Sequence, residues 1–291
     1  MFTKTKVAAL GAAAVLALSA CSSDDGGSSE EASAGDFAEG STMAELSDAG
    51  SITIGTKFDQ PLFGLVGPDG APVGFDVNIG TIIAEELGIS ADNINWVETV
   101  SANREPFIEG GQVDLVVATY TINDERKEKV SFAGPYYNAG QSLMVLADNT
   151  DIAGPDDLSG KNVCSVEGST PAANIADNYP EANLVLFGAY TDCLEPLRNG
   201  QVDVVTTDNV ILAGYVDDSD GEFAIAGEPF TEEPYGIGLA REDDEFRDWI
   251  NDVLEEIFED GRWLDAWNAD GSAGTVLPEP EVPTVDRYEN S

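Results

Sequence analysis

Gly111-Gln112-Val113-Asp114-Leu115-Val116 and Gly200-Gln201-Val202-Asp203-Val204-Val205 are two copies of one pattern. Each follows a short helical stretch and opens an apolar run of the kind that forms a buried strand. The runs end in polar residues, Ala118-Thr119-Tyr120-Thr121 in the first copy and Thr206-Thr207-Asp208 in the second. A helix feeding a buried strand is the repeating unit of an α/β sheet. Two copies predict two similar α/β lobes. In open α/β sheets ligands sit outside the carboxyl ends of the strands, so two such ends facing each other predict a cleft. An accidental local echo is the competing reading.

The pattern extends on both sides of these copies. Short β-branched runs at 51–55, 94–98, 113–119, 142–146, 162–166, 184–187, 202–206 and 236–240 read as strands in largely parallel sheets. Helical patterns cover 76–87, 170–178, 191–198 and 243–259. In the first of these, Val77, Ile79, Ile82, Ile83 and Leu87 keep a broad apolar stripe. The folded body predicted in this way is about 47–270.

The flanks differ in composition. Lys4 and Lys6 precede an apolar run over 7–20, too short for a bilayer span but suited to the core of an export signal. The run ends in Leu18-Ser19-Ala20-Cys21, which resembles a bacterial lipobox. That resemblance implies diacylglyceryl attachment at Cys21 and cleavage before it, giving a signal segment over 1–20 and a lipid anchor. An ordinary secretory signal with an incidental cysteine is the alternative. Residues 21–46 are rich in Ser, Asp, Glu, Gly and Ala and read as a flexible tether. Residues 271–291, with Pro278, Pro280 and Pro283, read as a disordered tail. Cys164 and Cys193 are the remaining thiols of an exported chain, which suggests a disulfide, two buried free thiols being the other possibility.

Composition excludes several chemistries. The 291 residues carry 13 Lys and Arg against 55 Asp and Glu, a net charge of −42. Such a chain repels nucleic acid and anionic lipid surfaces. It has no histidine, so triads, metal sites and proton shuttles built on that side chain are ruled out. The acidic run Asp217-Asp218-Ser219-Asp220-Gly221 would need a ligand where Val216 stands, so it does not fit a calcium loop. No cofactor and no metal are expected.

Thr56-Lys57-Phe58-Asp59-Gln60-Pro61, Gly74-Phe75-Asp76-Val77, Ala118-Thr119-Tyr120-Thr121-Ile122, Arg126-Lys127 and Phe132-Ala133-Gly134-Pro135-Tyr136-Tyr137 occur in that order. Together they resemble the polar amino-acid-binding proteins of ABC importers, the family 3 extracellular solute-binding proteins. The glutamate-binding lipoproteins of Gram-positive actinobacteria look closest. The resemblance spans nearly the whole folded body. It implies a periplasmic-binding-protein-like type II fold, two α/β lobes joined by two hinge strands and closing on ligand like a clamshell. Lobe 1 would comprise 47–138 and 236–270, and lobe 2 139–235, with crossings near 138–142 and 233–236. It further implies a monomer on the extracellular face of the cell membrane that hands an amino acid to ABC importer permease subunits. Glutamate is the expected ligand, with glutamine and aspartate as alternatives.

An amino acid entering a closed cleft loses water from both its carboxylate and its ammonium, and each needs an opposite charge. By the resemblance, Arg126 grips the α-carboxylate through its planar fork, and Asp208 takes the α-ammonium. Asp208 could also cap the helix that follows it, and the two roles are not exclusive. Thr121 and the backbone around Thr119 complete the cage. Ser169 and Thr170 enter a helix with Pro171 in its first turn. Read with Thr170 as the N-cap, this leaves free N–H groups for an anion. Lys57 and Arg104 would accommodate a second carboxylate, while Ser101, Phe58 and Tyr137 would shape the walls, core packing being their other reading. The expected role is binding rather than catalysis. A cyclohexadienyl dehydratase-like enzyme on the same fold is the rival that keeps the cleft but repurposes it.

Overall fold

The computed structural model describes residues 37–68 and 70–288. The expected export signal, the expected acylation site Cys21 and the expected tether up to residue 36 lie outside the described residues. Helix α1 (Thr42–Ala49) occupies the end of the expected tether. Ser41 caps it by accepting the Ala44 N–H, and Gly50 ends it at φ 64°. Met43 and Leu46, three residues apart, reach the hydrophobic core. A capped helix with two buried apolar side chains outweighs the polar composition around it, so residues 42–46 do not belong to the expected tether.

Strand β1 (Ile52–Thr56) leads into a small antiparallel sheet of β2 (Asp59–Gln60), β3 (Gly64–Val66) and β4 (Pro72–Val73). Helix α2 (Phe75–Glu86), β5 (Ile94–Glu98), α3 (Arg104–Glu109), β6 (Leu115–Val116) and the one-turn α4 (Asp124–Lys127) follow. Strand β7 (Ser131–Ala139) then runs out of the first lobe, and β8 (Gln141–Leu146) enters the second. The second lobe continues through β9 (Asn162–Val166), α5 (Thr170–Asn178), β10 (Asn183–Phe187) and α6 (Thr191–Arg198). It closes with β11 (Val204–Asp208), α7 (Asn209–Asp217) and β12 (Phe223–Ala226). Strand β13 (Glu233–Leu239) returns to the first lobe, where α8 (Asp244–Asp260) and α9 (Arg262–Asn268) pack. Among the described residues no helix is long and apolar enough to cross a membrane.

The two main sheets share one plan, with strand orders β5-β1-β6-β13-β7 and β10-β9-β11-β8-β12. They are mixed rather than largely parallel. β1 pairs in parallel with β5 and β6, and β9 with β10 and β11. The crossing strands enter antiparallel: β13 beside β6 and β7, and β8 beside β11 and β12. A chain that leaves a lobe and returns reaches its sheet from the opposite direction, which the local pattern of a strand cannot reveal.

The repeated motif does the same work in both lobes. Gly111 and Gly200 adopt φ 62° and 67° after α3 and α6, a conformation only glycine takes without strain. Asp114 Oδ2 accepts the Thr53 N–H at 2.8 Å, and Asp203 Oδ2 accepts the Asn162 N–H at 2.7 Å. Each aspartate thereby ties its strand to the start of the neighbouring parallel strand. In the second lobe a disulfide joins Cys164 on β9 to Cys193 on α6, with both residues fully buried.

The C-terminal segment is not a free tail over 271–288. Ser272 donates to the Ala266 carbonyl at 2.8 Å, Leu277 and Val285 pack against the core, and Asp286 N–H donates to the Gly134 carbonyl at 2.8 Å. A proline-rich chain makes few bonds of its own, but here scattered apolar side chains hold it on the first lobe.

Candidate functional site

The polar strand ends converge between the lobes. Ser101, Arg104, Thr119 and Thr121 of the first lobe face Ser169, Thr170, Tyr190, Thr207 and Asp208 of the second. They close round a cavity of about 10 Å³, roughly room for the centre of one water molecule.

Arg104 forms the cationic wall. Its Nη1 donates to the Ala118 and Thr119 carbonyls at 3.1 and 3.2 Å, and its Nε to the Ser101 carbonyl at 3.3 Å. Its guanidinium carbon lies 4.3 Å from the centre of the Tyr120 ring, a cation–π contact. Arg126 lies behind this wall and faces an outer groove of about 590 Å³ that also touches Ser169 and Thr170. Asn123 caps α4 by accepting the Arg126 N–H at 2.9 Å. The fork donates to the Thr121 carbonyl at 2.6 Å and, across the lobes, to the Gly168 carbonyl at 3.0 Å, while Nε pairs with Glu105 at 3.3 Å. Burial and the adjacent Arg104 lower its pKa to about 10. The Gly168 carbonyl also accepts from Arg104 Nη2 at 3.4 Å. Gly168 sits at φ 74°, and a Cβ there would lie 2.8 Å from the Ala102 backbone. Only glycine lets the lobes come this close.

Lys57 is buried and does not face the cavity. Its Nζ donates to Ser101 Oγ at 2.9 Å, so Ser101 stands between the ammonium and the space. Burial, then repulsion from Arg104, lowers its pKa to about 7. Phe58 and Tyr137 are also absent from the cavity wall. Tyr137 stacks on Trp267 with ring centres 5.2 Å apart, in the aromatic core of the first lobe.

Asp208 ends β11 and is 3% exposed. It makes no capping bond to α7, which removes the capping reading. Tyr235 on β13 donates to its Oδ2 at 2.6 Å. Its Oδ1 is buried and has no hydrogen-bond partner among the described residues. Burial, and then the Glu233 carboxylate, raise its pKa to about 7.

The N-cap of α5 is Ser169, one residue earlier than expected. Ser169 Oγ accepts the Ala172 N–H at 3.1 Å, and the Ser169 carbonyl accepts the Ala173 N–H at 3.2 Å. Pro171 has no N–H and the Ala172 and Ala173 N–H groups are bonded to Ser169, so the first turn offers few free donors. Thr170 contributes its hydroxyl instead: it lies 3.3 Å from the Thr121 hydroxyl across the cleft and donates to Glu233 Oε2 at 2.7 Å.

Four residues at the site went unassigned in the sequence: Asp76, Glu233, Tyr190 and Tyr235. Asp76, fully buried in the first turn of α2, accepts the Thr119 N–H at 2.7 Å and the Tyr136 hydroxyl at 2.6 Å. It thereby holds Thr119 at φ 43°, a left-handed conformation that is rare for a β-branched residue and costs about 1–3 kcal/mol. Burial raises the Asp76 pKa to about 7. An aspartate opening an otherwise apolar helix, in Gly74-Phe75-Asp76-Val77, was the available signal. Glu233 also accepts Thr231 Oγ1 at 2.9 Å, and Tyr190 N–H donates to Asp59 Oδ2 of the first lobe at 3.0 Å.

The arrangement sets guanidinium groups of one lobe against an incompletely bonded carboxylate of the other. Such a cleft is complementary to a small zwitterion. Among the described residues no group of three or more Cys, Asp or Glu is placed to hold a metal ion.

Two α/β lobes of matching topology, closing over a polar cleft at their strand ends, define a type II clamshell solute-binding protein. The chain belongs to the bacterial extracellular solute-binding proteins, family 3, whose sequence model matches residues 52–267. It is 41% identical over 270 residues to the glutamate-binding protein GluB of Corynebacterium efficiens, covering 88% of this chain and 87% of that one. It is 37% identical over 252 residues to the ABC transporter glutamine-binding protein GlnH of Bacillus subtilis, covering 86% and 90%. Among solved structures, an ancestral arginine-binding protein bound to glutamine superposes with a TM-score of 0.71 at 32% identity, covering 75% of this chain and 96% of that one. An ancestral amino acid-binding protein described as a precursor of cyclohexadienyl dehydratase gives 0.71 at 28%, covering 78% and 98%.

Proposed function

We propose that this protein captures glutamate outside the cytoplasm and delivers it to an ABC importer, without chemical turnover. The observation that carries the reading is Asp208 Oδ1, a buried acceptor without a partner among the described residues, on the same cavity as Arg104. In this reading the α-ammonium completes Asp208. The α-carboxylate draws the Arg126 fork from the Gly168 carbonyl, because a charged acceptor outcompetes a neutral one for a guanidinium. Arg104, with Lys57 behind Ser101, takes the side-chain carboxylate. Thr119, Thr121, Ser169 and Thr170 supply the remaining hydrogen bonds. Similarity to proteins named for glutamate and for glutamine supports an acidic amino acid or its amide. The second cation pair favours the acid.

The cavity is far smaller than an amino acid, so entry requires the lobes to part. The proposed pivots are the crossings at 138–142 and 233–236, which separate lobe 1 (47–138 and 236–270) from lobe 2 (139–235). The proposed anchor is a lipid on Cys21, supported by Lys4, Lys6 and the lipobox-like Leu18-Ser19-Ala20-Cys21, with a monomer held at the outer membrane face beside its permease subunits.

Titration calorimetry with glutamate, aspartate and glutamine tests the ligand. Glutamate is expected to bind most tightly, one per chain. Tighter binding of glutamine would overturn the roles of Lys57 and Arg104, and turnover of prephenate would overturn the binding reading itself.

A further inference from the structure

Strand β7 is the outer strand of the first sheet, and such an edge exposes N–H and C=O groups that need partners. The C-terminal Val285-Asp286-Arg287-Tyr288 supplies them. Asp286 N–H donates to the Gly134 carbonyl at 2.8 Å, and the Phe132 N–H donates to the Tyr288 hydroxyl at 2.7 Å. Arg287 pairs with Asp252 and Glu255 of α8 at 2.6 and 2.7 Å. The Tyr288 ring lies between two cations, with Lys127 Nζ at 4.0 Å and the Arg247 guanidinium at 5.0 Å. Lys127 also pairs with Asp286 at 3.7 Å.

Lys127 follows Arg126 on α4. A helix of one turn cannot hold its own shape in water, so α4 depends on ties from outside. Its N-terminus is tied by Asn123. Its C-terminus is tied by Arg241, which donates to the Lys127 carbonyl at 3.3 Å, and by the Lys127 side chain on the C-terminal segment. A second route converges on the same place. The Phe132 ring, whose backbone Tyr288 holds, is 4.6 Å from Tyr120, and Tyr120 lies 5.1 Å from the Arg126 guanidinium.

We propose that residues 285–288 form a positioning strap for Arg126, holding α4 and the Tyr120–Phe132 pair so that the fork meets the ligand carboxylate. The proposal rests on the role given to Arg126 above. Tyr288 touches no ligand in it and acts only through α4 and Phe132.

The test is calorimetry on the full chain carrying Tyr288→Ala, alone and combined with Arg126→Lys. Tyr288→Ala is expected to weaken glutamate binding about two- to thirtyfold. In the Arg126→Lys background it should have no further effect, because a flexible ammonium gains nothing from a fixed fork geometry. Unchanged affinity in the single variant would overturn the strap, as would equal weakening in both backgrounds, the mark of a merely structural tail. If Tyr288→Ala does not fold, Tyr288→Phe keeps the ring between its cations, removes the acceptor of the Phe132 N–H, and is judged in the same way. A wild-type chain that fails to bind glutamate overturns the proposed ligand instead, and the strap is then measured with the amino acid that does bind.

Discussion

Tyr235 donates its hydroxyl hydrogen to Oδ2 of Asp208 at 2.6 Å, and Oδ1 of the same carboxylate is buried without a hydrogen-bond partner among the described residues. The two residues come from different strands: Asp208 ends the second-lobe strand β11, and Tyr235 lies on the returning strand β13. The bond therefore fixes the carboxylate relative to the hinge strand. Acceptor capacity is left for a donor from outside, and in the proposed function an ammonium group supplies that donor together with the missing charge.

Replacing Asp208 by Asn keeps the shape and removes the charge. Ligand affinity should fall by roughly 2–5 kcal/mol, as for one partner of a buried charge pair. Ligand-free stability should hold or rise, because a buried, half-bonded carboxylate is itself costly. Calorimetry and thermal melts check the two halves. An Asn variant that binds like wild type would remove Asp208 from the site.

The pH dependence of the ligand-free protein follows from three buried groups. Burial raises the pKa of Asp208 and of Asp76 to about 7. From the ordinary carboxylate range up to that value the folded state holds protons that the unfolded chain has released. Their contribution is therefore present at low pH and lost as pH rises towards 7. Lys57 has the opposite sign. Its pKa is lowered to about 7, so above that value the unfolded chain holds the extra proton and stability rises with pH. Together the three groups give a stability minimum near neutral pH. Melting temperatures measured across this range should show it, and Asp208→Asn should flatten the acid side. A flat profile in wild type would mean that these groups titrate normally.

Much of this architecture was legible in local sequence. The bounds of α5 and α6 coincide with the expected 170–178 and 191–198 because apolar spacing and punctuating residues lie within each segment. The repeated Gly-Gln-Val-Asp marks the same junction in each lobe, with Asp114 and Asp203 in matching bonds. The cleft residues at strand ends, Thr119, Thr121 and Asp208, stood out because polar residues terminate apolar runs. The unread residues belong to pairs far apart in the chain: Asp76 with Thr119, Glu233 with Thr170, Tyr235 with Asp208. Only tertiary packing brings these together. The same reason separates Lys57 from the cavity. The end of β1 was readable, but the placing of Ser101 over its ammonium depends on a loop that follows a different strand.

Arg126 makes three kinds of contact at once, to a carboxylate, to its own lobe and to the opposite lobe. Truncation to Ala should cost roughly 2–5 kcal/mol in ligand binding. Lys should recover only part of that, since one ammonium cannot reproduce a two-point fork. Calorimetry on the two variants decides it. Near-normal affinity in the Ala variant would place the ligand's carboxylate elsewhere, with Arg104 the next candidate.

In the proposed function the choice between glutamate and glutamine falls to Lys57, although a serine separates it from the cavity. Its Nζ donates to Ser101 Oγ, so the Ser101 hydroxyl is free to donate its own hydrogen into the cleft. A carboxylate accepts that hydrogen and also feels the charge behind it, while an amide feels mainly the hydrogen bond. Binding an anion next to Lys57 favours its protonated form, against the burial that otherwise lowers its pKa. Lys57→Met should therefore lower the glutamate-to-glutamine affinity ratio by about tenfold, a change of ~1.4 kcal/mol, with glutamine affinity nearly constant. It should also make glutamate binding in wild type weaken more steeply than in the variant as pH rises above 7. Paired titrations with the two ligands at several pH values measure both effects. An unchanged ratio would leave the choice of ligand to Arg104 alone.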